Sequence, residues 1–162
     1  MATQSNHFRV LLVDDSSVVR RVLTDVISSD PQLEVAGTAS NGKIALERIA
    51  QLKPDLVLLD IEMPEMDGLT TLAELRKKYR RLPVIMFSTL THRGAAATLD
   101  ALSLGADDYV PKERNSLGLA AAIDDLRRDL RAWRNDGGTA RNADRFLQRE
   151  LGKKSIEQRI ER

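Results

Sequence analysis

The chain contains no cysteine, which removes a disulfide framework and a thiolate zinc site and makes a reducing compartment the expected one. Aromatic residues are scarce, with three Phe, two Tyr and one Trp in 162 residues, so any core must be built from aliphatic side chains. An excess of one charge is also lacking. The 25 Lys and Arg nearly cancel the 24 Asp and Glu, which argues against a dedicated nucleic-acid binder. Long apolar runs are missing: Val10–Val13 and Leu56–Leu59 fall far short of a membrane span. Met1 to His7 show no basic-then-apolar leader pattern. No membrane insertion and no secretion are therefore expected, and the location expected is cytoplasmic.

What is present is a regular alternation. Short aliphatic runs at Phe8–Val13, Leu33–Ala39, Asp55–Leu59, Pro83–Ser88 and Asp107–Val110 read as strands. Between them apolar residues recur at helical spacing. Val18, Val19, Val22, Leu23, Val26 and Ile27 do so behind a Ser16 cap, and further helical patterns run near Lys43–Gln51, Leu69–Tyr79, Gly94–Leu104 and Ser116–Trp133. Strands each followed by a helix imply an α/β fold, a five-stranded parallel sheet with helices on both faces. The length suits one domain over residues 1–134. After the Asn135-Asp136-Gly137-Gly138 break, residues 135–162 hold few large apolar side chains and read as a linker or docking tail without its own core.

In an open parallel sheet, ligands gather outside the carboxyl ends of the strands. The polar residues expected at those ends are Asp14 and Asp15, Asp60, Ser88 and Lys112. Three clustered carboxylates repel one another unless a cation joins them, and a hard divalent ion with oxygen ligands, Mg²⁺, is the simplest remedy. A carboxylate beside Mg²⁺ can attack phosphorus and form an aspartyl phosphate. Asp60 suits the nucleophile, Asp14 and Asp15 the metal, Lys112 an ion pair with the phosphoryl oxygens and Ser88 a hydroxyl contact. Each residue also has an ordinary structural use: Asp-Asp-Ser as a helix cap, Ser88 as a turn cap, Lys112 as a solvated surface charge.

The segments Val10-Leu11-Leu12-Val13-Asp14-Asp15-Ser16, Asp60-Ile61-Glu62-Met63-Pro64-Glu65-Met66-Asp67-Gly68 and Gly105-Ala106-Asp107-Asp108-Tyr109 resemble bacterial response-regulator receiver domains over roughly residues 8 to 134. Phe87-Ser88-Thr89-Leu90-Thr91 and the following Arg93-Gly94-Ala95-Ala96-Ala97-Thr98-Leu99 are similar to the receiver of the chemotaxis protein-glutamate methylesterase. The resemblance implies a flavodoxin-like strand order 2-1-3-4-5 and two-component phosphotransfer from a sensor histidine kinase to Asp60. It implies Mg²⁺ on Asp15, Asp60 and the main-chain carbonyl of Glu62, with Asp14 acting through water. Ser88 and Tyr109 would form a switch that alters a partner surface, although Tyr109 also reads as an ordinary half-buried strand aromatic. One departure stands out: receivers of this kind carry Lys-Pro after the fifth strand, whereas here the order is Pro111-Lys112-Glu113.

A methylesterase half is not expected in this stretch. There is no G-x-S-x-G turn, and His7 and His92 are the only histidines. The reading is then an excised regulatory domain or a stand-alone receiver, whose chemistry is confined to Asp60. Two rivals remain. Gly37-Thr38-Ala39-Ser40-Asn41-Gly42-Lys43 matches the phosphate-loop pattern G-x-x-x-x-G-K of a nucleotide-binding protein, but Ile44 stands where a metal-binding hydroxyl is needed. The other rival is an interaction module that works without phosphorylation. Such a module would be expected to lack one of the five groups, and all five are present.

Overall fold

The computed structural model describes residues 7–89, 100, 101, 103–112 and 128, with the backbone alone for Thr89, Asp108, Tyr109, Pro111 and Lys112. Its strands are β1 (Phe8–Val13), β2 (Leu33–Ala39), β3 (Leu56–Leu59), β4 (Val84–Thr89) and β5 (Asp108–Lys112), with helices α1 (Ser17–Ser28), α2 (Gly42–Leu52) and α3 (Gly68–Lys78). All strand pairings are parallel and the sheet order is β2-β1-β3-β4-β5. The parallel α/β fold expected from the alternation is therefore present. The expected helices at 94–104 and 116–133, apart from residues 100, 101, 103, 104 and 128, and the tail 135–162 lie outside the described residues.

The period-two alternation of the strands divides the core into two layers. Val10, Leu12, Leu56, Leu58, Ile85 and Phe87 pack with Leu23 and Ile27 of α1. On the other face, Leu11, Val13, Val57, Leu59, Val84 and Met86 pack with Ala45 and Ile49 of α2 and Leu72 and Leu75 of α3. β1 and β3 are covered on both faces, which is why their central residues are uninterrupted aliphatics. Each helix begins on a side-chain oxygen. Ser16, Asn41 and Asp67 accept from the backbone N–H of Val19, Ile44 and Thr70 at 3.3, 2.9 and 2.8 Å.

Two sequence readings need correction. The phosphate-loop pattern is not a loop. β2 runs through Ala39, Asn41 is the cap of α2, and only Ser40 and Asn41 connect them. A Cβ on Gly42 would lie 1.8 Å from Thr71 Oγ1, so this glycine serves close packing of α2 on α3 rather than phosphate approach. The last strand is also displaced. It begins at Asp108, not Asp107, and runs through Pro111 to Lys112, pairing Pro111 with Ser88 and Lys112 with Thr89. Proline is tolerated because β5 is an edge strand.

Asp107 turns inward at the amino edge of the sheet. Its Oδ2 accepts from the Val84 N–H at 2.9 Å and from Arg76 Nη2 at 3.0 Å. Arg76 in addition donates to the carbonyls of Gly105, Tyr79 and Leu82. One guanidinium thus ties the end of α3 to the starts of β4 and β5.

Candidate functional site

At the opposite edge, β1 and β3 deliver their acids side by side. The register pairs Val13 with Leu59, so the next residues, Asp14 and Asp60, leave neighbouring strands at the same level. The Asp60 N–H donates to the Val13 carbonyl at 2.9 Å and the Asp14 N–H to the Ala39 carbonyl at 3.1 Å, which extends the sheet by one residue at each end. Asp14 and Asp60 are buried, 2% and 5% exposed, while Asp15 faces solvent. One oxygen from each of Asp14, Asp15 and Asp60 lies within 4.8 Å of the others. At such a separation, two carboxylates repel by about 3 kcal/mol at an effective dielectric constant of ~20. Three hard oxygen donors at this spacing suit one Mg²⁺, whose ligand oxygens span up to about 4.2 Å. Small side-chain rotations cover the difference.

The turn that presents Asp14 also caps a helix. Asp14 Oδ1 accepts the Ser16 N–H at 2.9 Å, and Ser16 Oγ in turn caps α1. The structural use of Asp-Asp-Ser as a cap therefore leaves Asp14 and Asp15 near Asp60. Arg20 Nη1 donates to the Asp14 carbonyl at 2.6 Å, a contact the sequence pattern did not flag because an arginine on a helix face reads as solvated.

Behind Asp60 the chain makes a tight return. Met66 N–H donates to the Pro64 carbonyl at 2.8 Å, and Glu65 adopts a left-handed φ of 66°. Gly68 N–H then closes on the Ile61 carbonyl at 2.8 Å. A Cβ on Gly68 would stand 2.1 Å from the Asp60 carbonyl oxygen and 2.7 Å from Ile61 Cα, both backbone atoms that cannot move aside cheaply. Glycine is required here for close approach, and its place three residues after Pro64-Glu65 was the available sequence signal. Glu62 lies exposed in this return, two residues beyond Asp60.

Ser88 is buried in β4, 3% exposed. Met86 pairs with Leu59, so Ser88 sits two positions further toward the carboxyl edge, beyond the level at which Asp60 leaves β3. In β5, Lys112 pairs with Thr89 at that same edge, whereas Tyr109 pairs with Met86, three positions deeper and level with Leu59. The side chains of Lys112 and Tyr109 lie outside the described residues. The topology therefore brings all the expected site residues to one edge or its immediate approach, and the side-chain geometry joins three of them.

Comparison with known proteins bears directly on this arrangement. Residues 10–124 match the family model of the response regulator receiver domain. A protein-glutamate methylesterase/protein-glutamine glutaminase of a Nocardioides species is 54% identical over 122 residues, 75% of this chain and 33% of that protein. The corresponding protein of Trichodesmium erythraeum is 53% identical over 123 residues, 76% of this chain and 35% of its own length. The chain thus spans about a third of the length of these relatives. Among solved structures, the response regulator domain of Thermotoga maritima CheB superposes with a TM-score of 0.72 at 41% identity, covering 78% of this chain and 95% of that one. A Mn²⁺-bound form of the response regulator Rcp1 gives a TM-score of 0.65 at 25% identity, covering 73% and 90%.

Proposed function

The chain belongs to the response regulator receiver domain family, and from that premise we propose that it is a Mg²⁺-dependent phosphoacceptor in chemotactic two-component signalling, with Asp60 as the residue phosphorylated. The observation that carries this reading is the convergence of Asp14, Asp15 and Asp60 within 4.8 Å at the ends of β1 and β3. A Mg²⁺-binding role is supported by the hard oxygen donor set and by the Mn²⁺-bound state of the similar Rcp1 structure.

In this reading Asp15, Asp60 and the main-chain carbonyl of Glu62 would hold the ion, with Asp14 acting through water, and the ion would supply neutralisation of charge on the transferring phosphoryl oxygens. An Asp60 carboxylate oxygen attacks phosphorus, the bond from phosphorus to the donor histidine nitrogen breaks, and the departing imidazole takes up a proton from solvent. Burial of Asp60 excludes competing water and fixes the attacking oxygen. Ser88, two positions beyond Met86 in β4, serves as hydroxyl donor to a phosphoryl oxygen, and Lys112 as the ion pair. Ser88 and Tyr109 then carry the switch toward a partner surface. The partners proposed are a sensor histidine kinase and an attached or separate output protein, a methylesterase domain being the candidate that the similar proteins suggest. Residues 1–134 form the receiver in this scheme and 135–162 the connection to that output. Among the described residues no helix is long and apolar enough to cross a membrane, and a cytoplasmic location accords with the absence of cysteine.

Intact-protein mass after incubation with acetyl phosphate tests this reading. One phosphoryl addition is expected with Mg²⁺, none with EDTA, and unchanged labelling in Lys43→Ala. Labelling that survives EDTA, or is lost in Lys43→Ala, would contradict it.

A further inference from the structure

Arg20 stands one helical turn into α1, half-buried, and reaches back over the start of the helix to the Asp14 carbonyl oxygen. Asp14 is thereby held at three points: N–H to Ala39, Oδ1 from Ser16 and carbonyl oxygen from Arg20, at 3.1, 2.9 and 2.6 Å. That carbonyl belongs to the peptide group joining Asp14 to Asp15. The group is planar, so fixing its oxygen also fixes the direction in which the Asp15 Cα leaves the turn. Asp15 is the exposed member of the acidic group and makes none of the hydrogen bonds that anchor its neighbour's main chain at this turn. A charge-assisted bond of this length is stronger than a neutral one and comes from a planar, always protonated donor.

Resting on the phosphoacceptor reading above, we propose that Arg20 is a positioning residue for the metal site: by anchoring the Asp14 carbonyl it holds Asp15 in the orientation that binds a divalent cation. Charge and positioning act in opposite directions here. A cation close to the metal opposes binding through simple repulsion, so an arginine acting only by its charge would weaken metal affinity, and its removal would tighten it. An arginine that orients a ligand strengthens affinity, and its removal weakens it. Loss of such supporting hydrogen bonds around a metal ligand lowers affinity by about tenfold to a hundredfold.

The test is Mn²⁺ titration of the full chain, free Mn²⁺ being read by its electron paramagnetic resonance signal, at a temperature where circular dichroism shows every variant folded. Arg20→Met is expected to weaken Mn²⁺ binding by about tenfold. Arg20→Lys, which keeps a charge and one donor, is expected to recover much of the loss. Arg21→Gln removes the same charge from the neighbouring exposed position and is expected to bind as the parent does. Unchanged or tighter binding in Arg20→Met would overturn the inference while leaving the phosphoacceptor reading intact. Absence of Mn²⁺ binding in the parent chain would overturn both.

Discussion

The two edges of one sheet handle buried acid in opposite ways. At the amino edge Asp107 is matched by Arg76, and the guanidinium spreads its remaining donors over the carbonyls of Tyr79, Leu82 and Gly105. At the carboxyl edge three carboxylates are drawn within 4.8 Å of one another by strand register and two tight turns. The first arrangement serves folding, because the buried Asp107 has a partner of opposite sign in the same chain. The second raises the free energy of the folded chain, which an incoming divalent cation can lower. Within one fold, the edge where like charges crowd together is the edge proposed to bind a cation.

That contrast is broken most severely by removing the cation of the amino edge. Arg76→Ala leaves the buried Asp107 charge uncompensated and is expected to lose about 3–5 kcal/mol in urea denaturation. Replacing both partners with apolar residues, Arg76→Met with Asp107→Leu, should cost clearly less than the two single changes added together. Simple additivity would show that the pair does not act as a unit. Next in size, Gly68→Ala pushes a methyl into the Asp60 backbone and should cost about 3 kcal/mol. Its phosphorylation by acetyl phosphate should also slow, and a normal rate at normal stability would mean the return behind Asp60 is loose.

At the acidic edge the sign reverses. Asp15→Asn should raise the stability of the metal-free protein, by about 1 kcal/mol once solvent screening of this exposed group is allowed for. The same change should abolish most of the rise in Tm that added Mg²⁺ gives the parent chain by mass action. A metal-free protein destabilised by Asp15→Asn would contradict the repulsion argument.

The smallest effect lies in acid. Burial pushes the Asp107 carboxyl above its ordinary value of 3.8, outweighing the Val84 N–H and the Arg76 charge, and burial likewise lowers the Arg76 guanidinium. The folded protein therefore keeps the Asp107 proton to higher pH than the unfolded chain does. Just above pH 3.8 the native state binds more protons, so this group's contribution to stability falls as pH rises through that window. The stability difference between the parent and Asp107→Asn should slope downward with increasing pH there. An upward slope would mean that the ion pair outweighs desolvation.

The carboxyl edge was the more legible of the two in the sequence. Asp14 and Asp60 each follow an aliphatic run directly, with Asp15 next to Asp14, and a parallel register that pairs the last residues of the two runs brings them to one level. The amino edge left almost no trace. Arg76 belongs to the run Arg76-Lys77-Lys78-Tyr79-Arg80-Arg81, in which every cation looks solvated, and its partner lies 31 positions away. Nothing local marks the one that turns inward, since that depends on where α3 ends relative to β5. The expected last strand stopped at Val110, one residue before Pro111, whereas β5 continues through Pro111 to Lys112, which an edge strand tolerates. The phosphate-loop pattern failed for the complementary reason, since the spacing fits but β2 and α2 leave no loop between them.

Borohydride trapping reads directly whether the acidic edge accepts a phosphoryl group on Asp60. Protein treated with acetyl phosphate and Mg²⁺ is reduced with borohydride, which converts an aspartyl phosphate to homoserine, and is then mapped by peptide mass. Homoserine is expected at position 60 alone, absent from Asp60→Asn and from protein treated in EDTA. Homoserine at Asp14 or Asp15, or at no position although the parent chain gains a phosphoryl group, would contradict phosphorylation at Asp60.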